Sequence, residues 1–282
     1  MRLGATSRDR LTLREPDAGA RPPMTDVTQL YLALRERACR IVSRLPEPDF
    51  YCREAAALNL SESLFETAPL VADLRHAVAD LLEDDFGHGL LHARKVAVEA
   101  GALVRIEGLA GGMSGPALIR RIGLAHCAGL LHDTRRKQPN HAEESARHAH
   151  QLLSGRALSA GEIADICMAI RNHEAFKPTW AVETREGVLL SDCLYDADKF
   201  RWGPDNFTDT LWAMTLFNRI PLQEFLRHFP RGMESVARIR STFRTPAGKK
   251  YGPQFIDLGL AAGEAIYRLL QDEFGEGRPD SN

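Results

Sequence analysis

Hydrophobic positions recur along most of this chain with the period of an α-helix. Apolar side chains return at i, i+3, i+4 and i+7, which places them on one face of each helix. Segments rich in Pro and Gly, such as 45–48, 108–116 and 202–206, separate these stretches. No short segment alternates apolar β-branched positions with polar ones, so we expect an all-α fold with little or no sheet. The predicted helices cover residues 27–45, 63–82, 88–107, 116–131, 142–154, 160–172, 185–200 and 222–240.

One of these segments, residues 116–131 (PALIRRIGLAHCAGLL), is apolar around most of the helix circumference. A helix of this kind is buried on nearly all sides, because a helix at the surface keeps one polar face. We therefore expect it to lie at the centre of a helical bundle, wrapped by its amphipathic neighbours.

Two segments, residues 1–24 and 240–255, depart from the helical pattern of hydrophobic positions. Residues 1–24 contain five Arg and no aromatic residue, so we expect a disordered tail or a mis-assigned start. Residues 25–282 would then form a single helical domain. Within it, residues 240–255 interleave Arg and Lys with Phe and Tyr, a mixture that could recognise a phosphate or a nucleobase. We favour the alternative of a Gly/Pro loop that packs its aromatic side chains on the bundle and exposes its cations.

Composition narrows the classes of protein that remain. The 282 residues are 44% hydrophobic and 26% charged, as in globular proteins, and a net charge of -2 argues against a nucleic-acid partner. No apolar run approaches the ~18 residues of a membrane span, so we expect no membrane association. The five Cys include no C-x-x-C pair, which argues against a thiolate zinc site and favours a reducing, cytoplasmic location.

Histidine is the residue that points to chemistry, and most of the ten lie between residues 76 and 173. His132 and Asp133 follow each other at the end of the apolar segment 116–131. An imidazole and a carboxylate at one point are good ligands for Fe, Mn, Co, Ni or Zn. A His-Asp pair by itself is weak evidence, because such pairs also arise by chance.

Other segments direct similar side chains to the interior. His92 lies on the same apolar stripe as Val96 and Leu103, and His88 lies one turn before it. His141 and His173 also lie on stripes that face inward. Unpaired polar groups buried in this way would each cost several kcal/mol, so a shared metal is the simplest explanation. Asp196 and Asp198 lie inside a further apolar segment, at the margins of its buried stripe, and helical geometry does not choose between them.

His and Asp follow one another in the order H…HD…H…H…D, in the segments HGLLHARKV, AGLLHD, AIRNH and DADKF. Over about residues 85–205, this order resembles the HD-domain superfamily of metal-dependent phosphohydrolases. The resemblance implies an HD-type helical bundle with additional N- and C-terminal helices. It favours Asp198 over Asp196 as a ligand, and Asp196 would then orient a ligand histidine by accepting its hydrogen bond. It implies metal ligation by His92, His132, Asp133 and Asp198, and it matches His141 and His173 to the extra histidines of members that hold two metals.

The resemblance also implies a function. We expect one or two divalent ions (Mn, Fe, Ni, Co, Mg or Zn), with two favoured, and hydrolysis of a phosphoester by a metal-activated water. The substrate would be a nucleotide or another small phosphorylated metabolite, with Asp133, Lys199 and His88 as the catalytic candidates. His88 could instead be an ordinary residue at a helix start. The alternatives are a di-iron oxygenase of the same HD type and a protein that senses a nucleotide without turnover.

Overall fold

The computed structural model describes residues 26–79, 81–82 and 89–275, and every regular element in these ranges is a helix. The all-α prediction is thereby confirmed. The predicted tail, residues 1–24, lies outside the described residues, as does His88. The helices are α1 (Asp26–Val42), α2 (Asp49–Arg53), α3 (Ala55–Thr67), α4 (Pro69–Val78), α5 (Leu90–Ala110), α6 (Gly115–Leu131), α7 (His141–Leu153), α8 (Ala160–Arg171), α9 (Arg185–Phe200), a π-helical turn (Asn206–Thr210), α10 (Leu211–Phe217), α11 (Leu222–Ile239) and α12 (Pro246–Phe274).

Among the described helices, α5 and α6 share the most extensive packing, and α3, α8 and α9 pack around them. The close approach depends on Gly129 of α6, because a Cβ atom there would lie only 2.4 Å from the Cα of Ala97 in α5. Val96 to Val104 of α5 are buried throughout. Two backbones that touch in this way hold the side chains at their ends at fixed distances from one another.

The position predicted for α6 is correct for only half of the helix. Its C-terminal half, from Leu124 to Leu131, is wholly buried, whereas Ile119 and Arg120 in the N-terminal half are exposed. The apolar segment therefore enters the core at the end that carries the His-Asp pair. That end, rather than the whole helix, is surrounded by the other helices.

Two other predictions about the helices are wrong in part. The segment 63–82 is not one helix, because α3 ends at Thr67 and α4 begins at Pro69. Proline has no N–H to donate and is favoured in the first turn of a helix, so it separates the two. The periodic pattern also failed to predict α2, the first turns of α3, the π-helical turn and α10.

The largest difference concerns residues 240–255, predicted as a loop. Most of this segment belongs to α12, a helix of 29 residues that begins at Pro246. Thr245 caps it by accepting a hydrogen bond from the Gly248 N–H at 2.8 Å. The prediction that the aromatic side chains are buried is correct, since the Phe255 ring stacks on Phe200 of α9 at 4.2 Å. The prediction that the cations are exposed holds for Lys249 and fails for Arg244, which is 19% exposed and lies over the Tyr195 ring.

One cluster of buried hydrophobic residues extends from Tyr31 in α1 to Leu270 in α12 and includes residues of α5, α6, α9 and α11. The later helices thus share their core with the helices that carry the candidate ligands. In the parts of the chain that the structure covers, no helix combines the length and apolar character that crossing a membrane requires.

Candidate metal centre

The six side chains predicted as metal ligands converge at one place in the structure. They form two neighbouring groups of three, and within each group the ligand atoms lie within 4.8 Å of one another. We call His92, His132 and Asp198 the first triad, and Asp133, His141 and His173 the second triad. Because His132 and Asp133 are consecutive, the two triads adjoin.

The first triad is supplied by the three helices at the centre of the fold. His92 lies in the first turn of α5, His132 directly follows α6, and Asp198 lies in the last turn of α9. The Nε2 atom of His92 is 3.3 Å from the Nε2 of His132 and 3.5 Å from Oδ1 of Asp198, and the His132 and Asp198 atoms are 3.7 Å apart. The three side chains are only 7%, 0% and 8% exposed.

The second triad is built at helix ends. His141 is the first residue of α7, and His173 lies two residues beyond the end of α8. Oδ1 of Asp133 is 3.6 Å from Nε2 of His141 and 3.4 Å from Nε2 of His173, while its Oδ2 is 3.5 Å from Nε2 of His132. The Asp133 carboxylate therefore lies between the triads, with one oxygen toward each.

Backbone carbonyls orient two of the histidines. Nδ1 of His132 lies 2.7 Å from the carbonyl oxygen of Gly129, and Nδ1 of His173 lies 2.6 Å from that of Ile170. A carbonyl oxygen only accepts hydrogen bonds, so Nδ1 carries the proton in each ring. The lone pair is then on Nε2, which faces the carboxylates, as in histidines that bind a metal.

The pKa values of the triad residues show how burial and neighbouring charges act on them. Burial lowers the pKa of His132, but the carboxylates of Asp133 and Asp198 outweigh it and raise this pKa above its ordinary value. Burial would raise the pKa of Asp198, yet Lys199 and the two nearby histidines hold it well below its usual range. The pKa of His141 is about 3, mainly because of burial, so its ring is neutral at pH 7. A buried carboxylate surrounded by imidazole lone pairs favours a cation at this point.

The chemistry of the donor set fits a metal. Imidazole nitrogens and carboxylate oxygens are the ligands that Zn, Mn, Fe, Co and Ni share, and the two oriented histidines already present their lone pairs. These buried His and Asp side chains could therefore hold a divalent metal ion.

Two cations contact the two triads. Lys199 forms an ion pair with Asp198 of the first triad. Arg136 donates from Nη1 to Nε2 of His141 in the second triad at 2.8 Å. Arg201, two residues after Lys199, is buried and donates to both carboxylate oxygens of Glu99 at 2.6 Å. Arg94, two residues after His92, forms an ion pair with Glu62 instead.

Asp196 does not orient a ligand histidine, so this alternative from the sequence is wrong. Its carboxylate accepts the backbone N–H groups of Arg244 and Thr245, at 2.8 Å each. It therefore anchors the start of α12, although it lies only two residues before Asp198. Asp196 has this structural role because its hydrogen-bond partners lie on a segment that begins 48 residues later in the chain.

Two polar groups near the site escaped the sequence analysis. Oε1 of Glu174 lies 3.6 Å from Nδ1 of His141, where it can orient that ring. The only signal was its position directly after His173. The buried Glu99, which pairs with Arg201, lies seven residues after His92 on the same apolar stripe, and this position was the signal that could have identified it.

A cavity of about 510 Å³ opens beside the triads. Its wall includes His92, Asp133, His173 and Asp198, together with Lys199 and Arg136. The candidate ligands are thus buried within the fold and also accessible to a small molecule.

Comparisons with protein-family models, with curated proteins and with solved structures found no significant match to this chain.

Proposed function

We propose that this protein is a metal-dependent phosphohydrolase of the HD type that acts on a small phosphorylated molecule. The observation that carries the proposal is the meeting of two ligand triads at a cavity that also has cationic walls. The ligand set supports metal binding, and the cations support a substrate with negative charge.

In this proposal, some residues bind the metal ions and others bind the substrate. His92, His132 and Asp198 would hold one divalent ion, and Asp133, His141 and His173 would hold a second. A bound ion of this kind lowers the pKa of a coordinated water to about 7 and neutralises charge on a phosphoryl group. Lys199 and Arg136 would bind the phosphate oxygens, because both line the cavity beside the ligands.

Asp133 has a further role in this proposal. Its carboxylate lies between the two triads and lines the cavity, which suits it to position the attacking water between the two ions. The role predicted for His88 concerns a residue outside the described ranges and stays a prediction.

The test is metal analysis of the purified protein, followed by assays of phosphorylated substrates with Mn, Ni, Co and Mg. We expect bound metal and release of inorganic phosphate, both lost in Asp133→Ala. A matched control is His150→Ala, which changes an exposed histidine of α7. Wild-type protein that neither retains nor is activated by any of these metals would contradict the proposal.

The same measurements separate the alternatives. Stoichiometric iron with visible absorption in the purified protein, and no phosphate release, would favour the di-iron oxygenase. Tight binding of a nucleotide without turnover at any metal would favour the sensing protein.

A further inference from the structure

The cavity beside the triads has two ends of opposite character. At the metal end, its wall consists of the candidate ligands and the cations Arg136, Lys199 and Arg201. At the other end, which we call the apolar end, the wall includes Phe207, Leu211, Met214, Phe225, Phe229 and Val236.

The apolar end is lined largely by α11, whose apolar face also contributes to the core of the protein. Phe225, Phe229 and Val236 lie on one face of α11. Part of this face packs on α12, where the Phe229 ring stacks on Tyr267 at 5.2 Å. The rest faces the cavity across from the π-helical turn and α10. A π-helical turn is a rare element that occurs frequently at functional sites.

The size of the cavity adds to this argument. A volume of about 510 Å³ lies within the range of sites for small organic molecules. A phosphate group at the metal end would fill only a small part of it. The remainder of the substrate must therefore match the apolar end.

The distribution of charge favours a single phosphate. The described residues that line the cavity include three Arg and Lys side chains, Arg136, Lys199 and Arg201, and the first two contact ligands of the triads. The wall contributed by α11 has Glu224 and His228 as its titratable groups. A polyphosphate chain would find no Arg or Lys on the α11 wall, and its Phe225, Phe229, Met233 and Val236 side chains offer sugar hydroxyls no hydrogen bonds.

We propose, on the basis of the proposed function, that the substrate is a phosphate monoester of an apolar alcohol, with an alkyl or aromatic group in the apolar end. Water attacks the phosphorus atom and the bond from phosphorus to the alcohol oxygen breaks. The water oxygen stays on the phosphate that is released. The alcohol leaves with a proton, so the step needs no other reactant.

Substrate pairs test this proposal directly. With the activating metal, we expect kcat/KM for 1-naphthyl phosphate or decyl phosphate to exceed that for glucose 6-phosphate and dAMP by about tenfold or more. Comparing naphthyl with decyl phosphate shows whether the apolar end prefers a flat ring or a chain. Faster hydrolysis of glucose 6-phosphate or dAMP would overturn the proposal and leave the phosphohydrolase function standing.

A variant in the wall gives a sharper test. Met214 lines the cavity and is 37% exposed, so Met214→Gln should fold. We expect this change to lower the preference for naphthyl over glucose phosphate several-fold, and Met214→Leu to preserve it. The matched control is Leu109→Gln, at a 46% exposed position at the end of α5 that does not line the cavity. An equal preference in Met214→Gln and in wild type would count against the apolar end as the binding site.

A binding measurement separates the two proposals. The alcohols 1-naphthol and decanol carry no phosphate, and their binding can be followed by fluorescence or by dye displacement without turnover. Binding that Met214→Gln weakens and Leu109→Gln does not would support the apolar site, even if no phosphate ester is hydrolysed. If neither alcohol binds, the apolar site is wrong whatever the hydrolase activity.

Discussion

The two triads use the same residue types but differ in how the fold supports them. The first triad comes from the first turn of α5, the residue after α6 and the last turn of α9, three helices that pack on one another, and its side chains are at most 8% exposed. The second triad is supplied by residues at or beyond helix ends, and His141 is 12% exposed. A guanidinium also lies against the second triad, because Arg136 donates to Nε2 of His141.

This difference indicates that the two triads differ in metal affinity. Two of the three ligands of the first triad lie within packed helices and lose little freedom when they bind an ion, whereas two of the three in the second triad, Asp133 and His173, lie outside the helices and must be ordered. Arg136 adds a positive charge that must move aside before a cation can use His141. We expect the first triad to bind metal more tightly and to be filled first.

We expect the largest loss of bound metal from a substitution at the point where the two triads meet. His132→Ala removes a ligand of the first triad and the neighbour of Asp133. We expect metal content to fall toward zero and kcat/KM to fall by about 100-fold or more. Elemental analysis and phosphate release measure the two effects, and circular dichroism should still show a helical protein. Full metal occupancy in this variant would show that the ligand assignment is wrong.

The next effect should be confined to one triad. His141→Ala removes a ligand of the second triad and leaves His92, His132 and Asp198 in place. We expect the stoichiometry to fall from about two ions per chain toward one, while the tighter ion keeps its affinity. Metal titration with elemental analysis gives both values, and His150→Ala serves as the control. Wild-type protein that saturates at one ion would remove the second triad from the metal site.

A smaller effect, opposite in sign, is expected for Arg136→Met. This change removes the positive charge next to His141, so the weaker ion should bind roughly threefold to tenfold more tightly. Competition with a chelating dye measures this affinity. Arg135→Met is the matched control on the neighbouring residue. Weaker binding of the second ion in Arg136→Met would show that the guanidinium supports the triad rather than competing with metal.

The smallest effect on metal should occur at His126, which is buried in α6 but belongs to neither triad. Nε2 of His126 lies 2.8 Å from Oγ of Ser61, and burial lowers its pKa to about 3. An unfolded chain takes up a proton at this histidine below about pH 6.5, and the folded chain does so only near pH 3. Stability is therefore lost as the pH falls through this window, by about 2 kcal/mol between pH 7 and pH 5.

Removing this titration should flatten the pH dependence. In His126→Asn, urea unfolding should show a smaller loss of stability from pH 7 to pH 5 than in wild type, with metal content unchanged. If His126→Asn lost metal, a buried histidine outside both triads would be needed for metal binding, and the assignment of the ligands to the triads would be incomplete.

The sequence predicted those parts of the fold that depend on local periodicity. An apolar stripe shows which face of a helix is buried, so His92, His141 and His173 were correctly expected to point inward. The helix α12 was not predicted, because Gly and Pro within it resemble loop punctuation. In the structure, Gly252 lies against the Phe243 ring, where a Cβ atom would come within 2.4 Å of ring carbons. Its role is tertiary, and local patterns do not report tertiary contacts.

In the site, too, local patterns predicted some features, and contacts between distant segments determined the others. Convergence of the six candidate ligands could be anticipated from stripes and from the HD resemblance. The distinct roles of Asp196 and Asp198 could not be derived from helical geometry, because both lie at the margin of one stripe. The deciding partners of Asp196 are backbone groups of Arg244 and Thr245, on a distant segment. The pairing of Glu99 with Arg201 could not be derived either, because the two residues are 102 positions apart in the chain.

The absence of a side chain at Gly129 has a consequence for how sequence changes would be interpreted. This residue lets α6 touch α5 at Ala97, and its carbonyl oxygen accepts the Nδ1–H of His132. A methyl group there would force the helices apart by on the order of an ångström and tilt the His132 ring away from His92. In a mutational scan, Gly129 would therefore rank with the metal ligands although it offers no ligand atom. Tolerance to substitution in this protein should follow the spacing of backbones as closely as it follows chemical function.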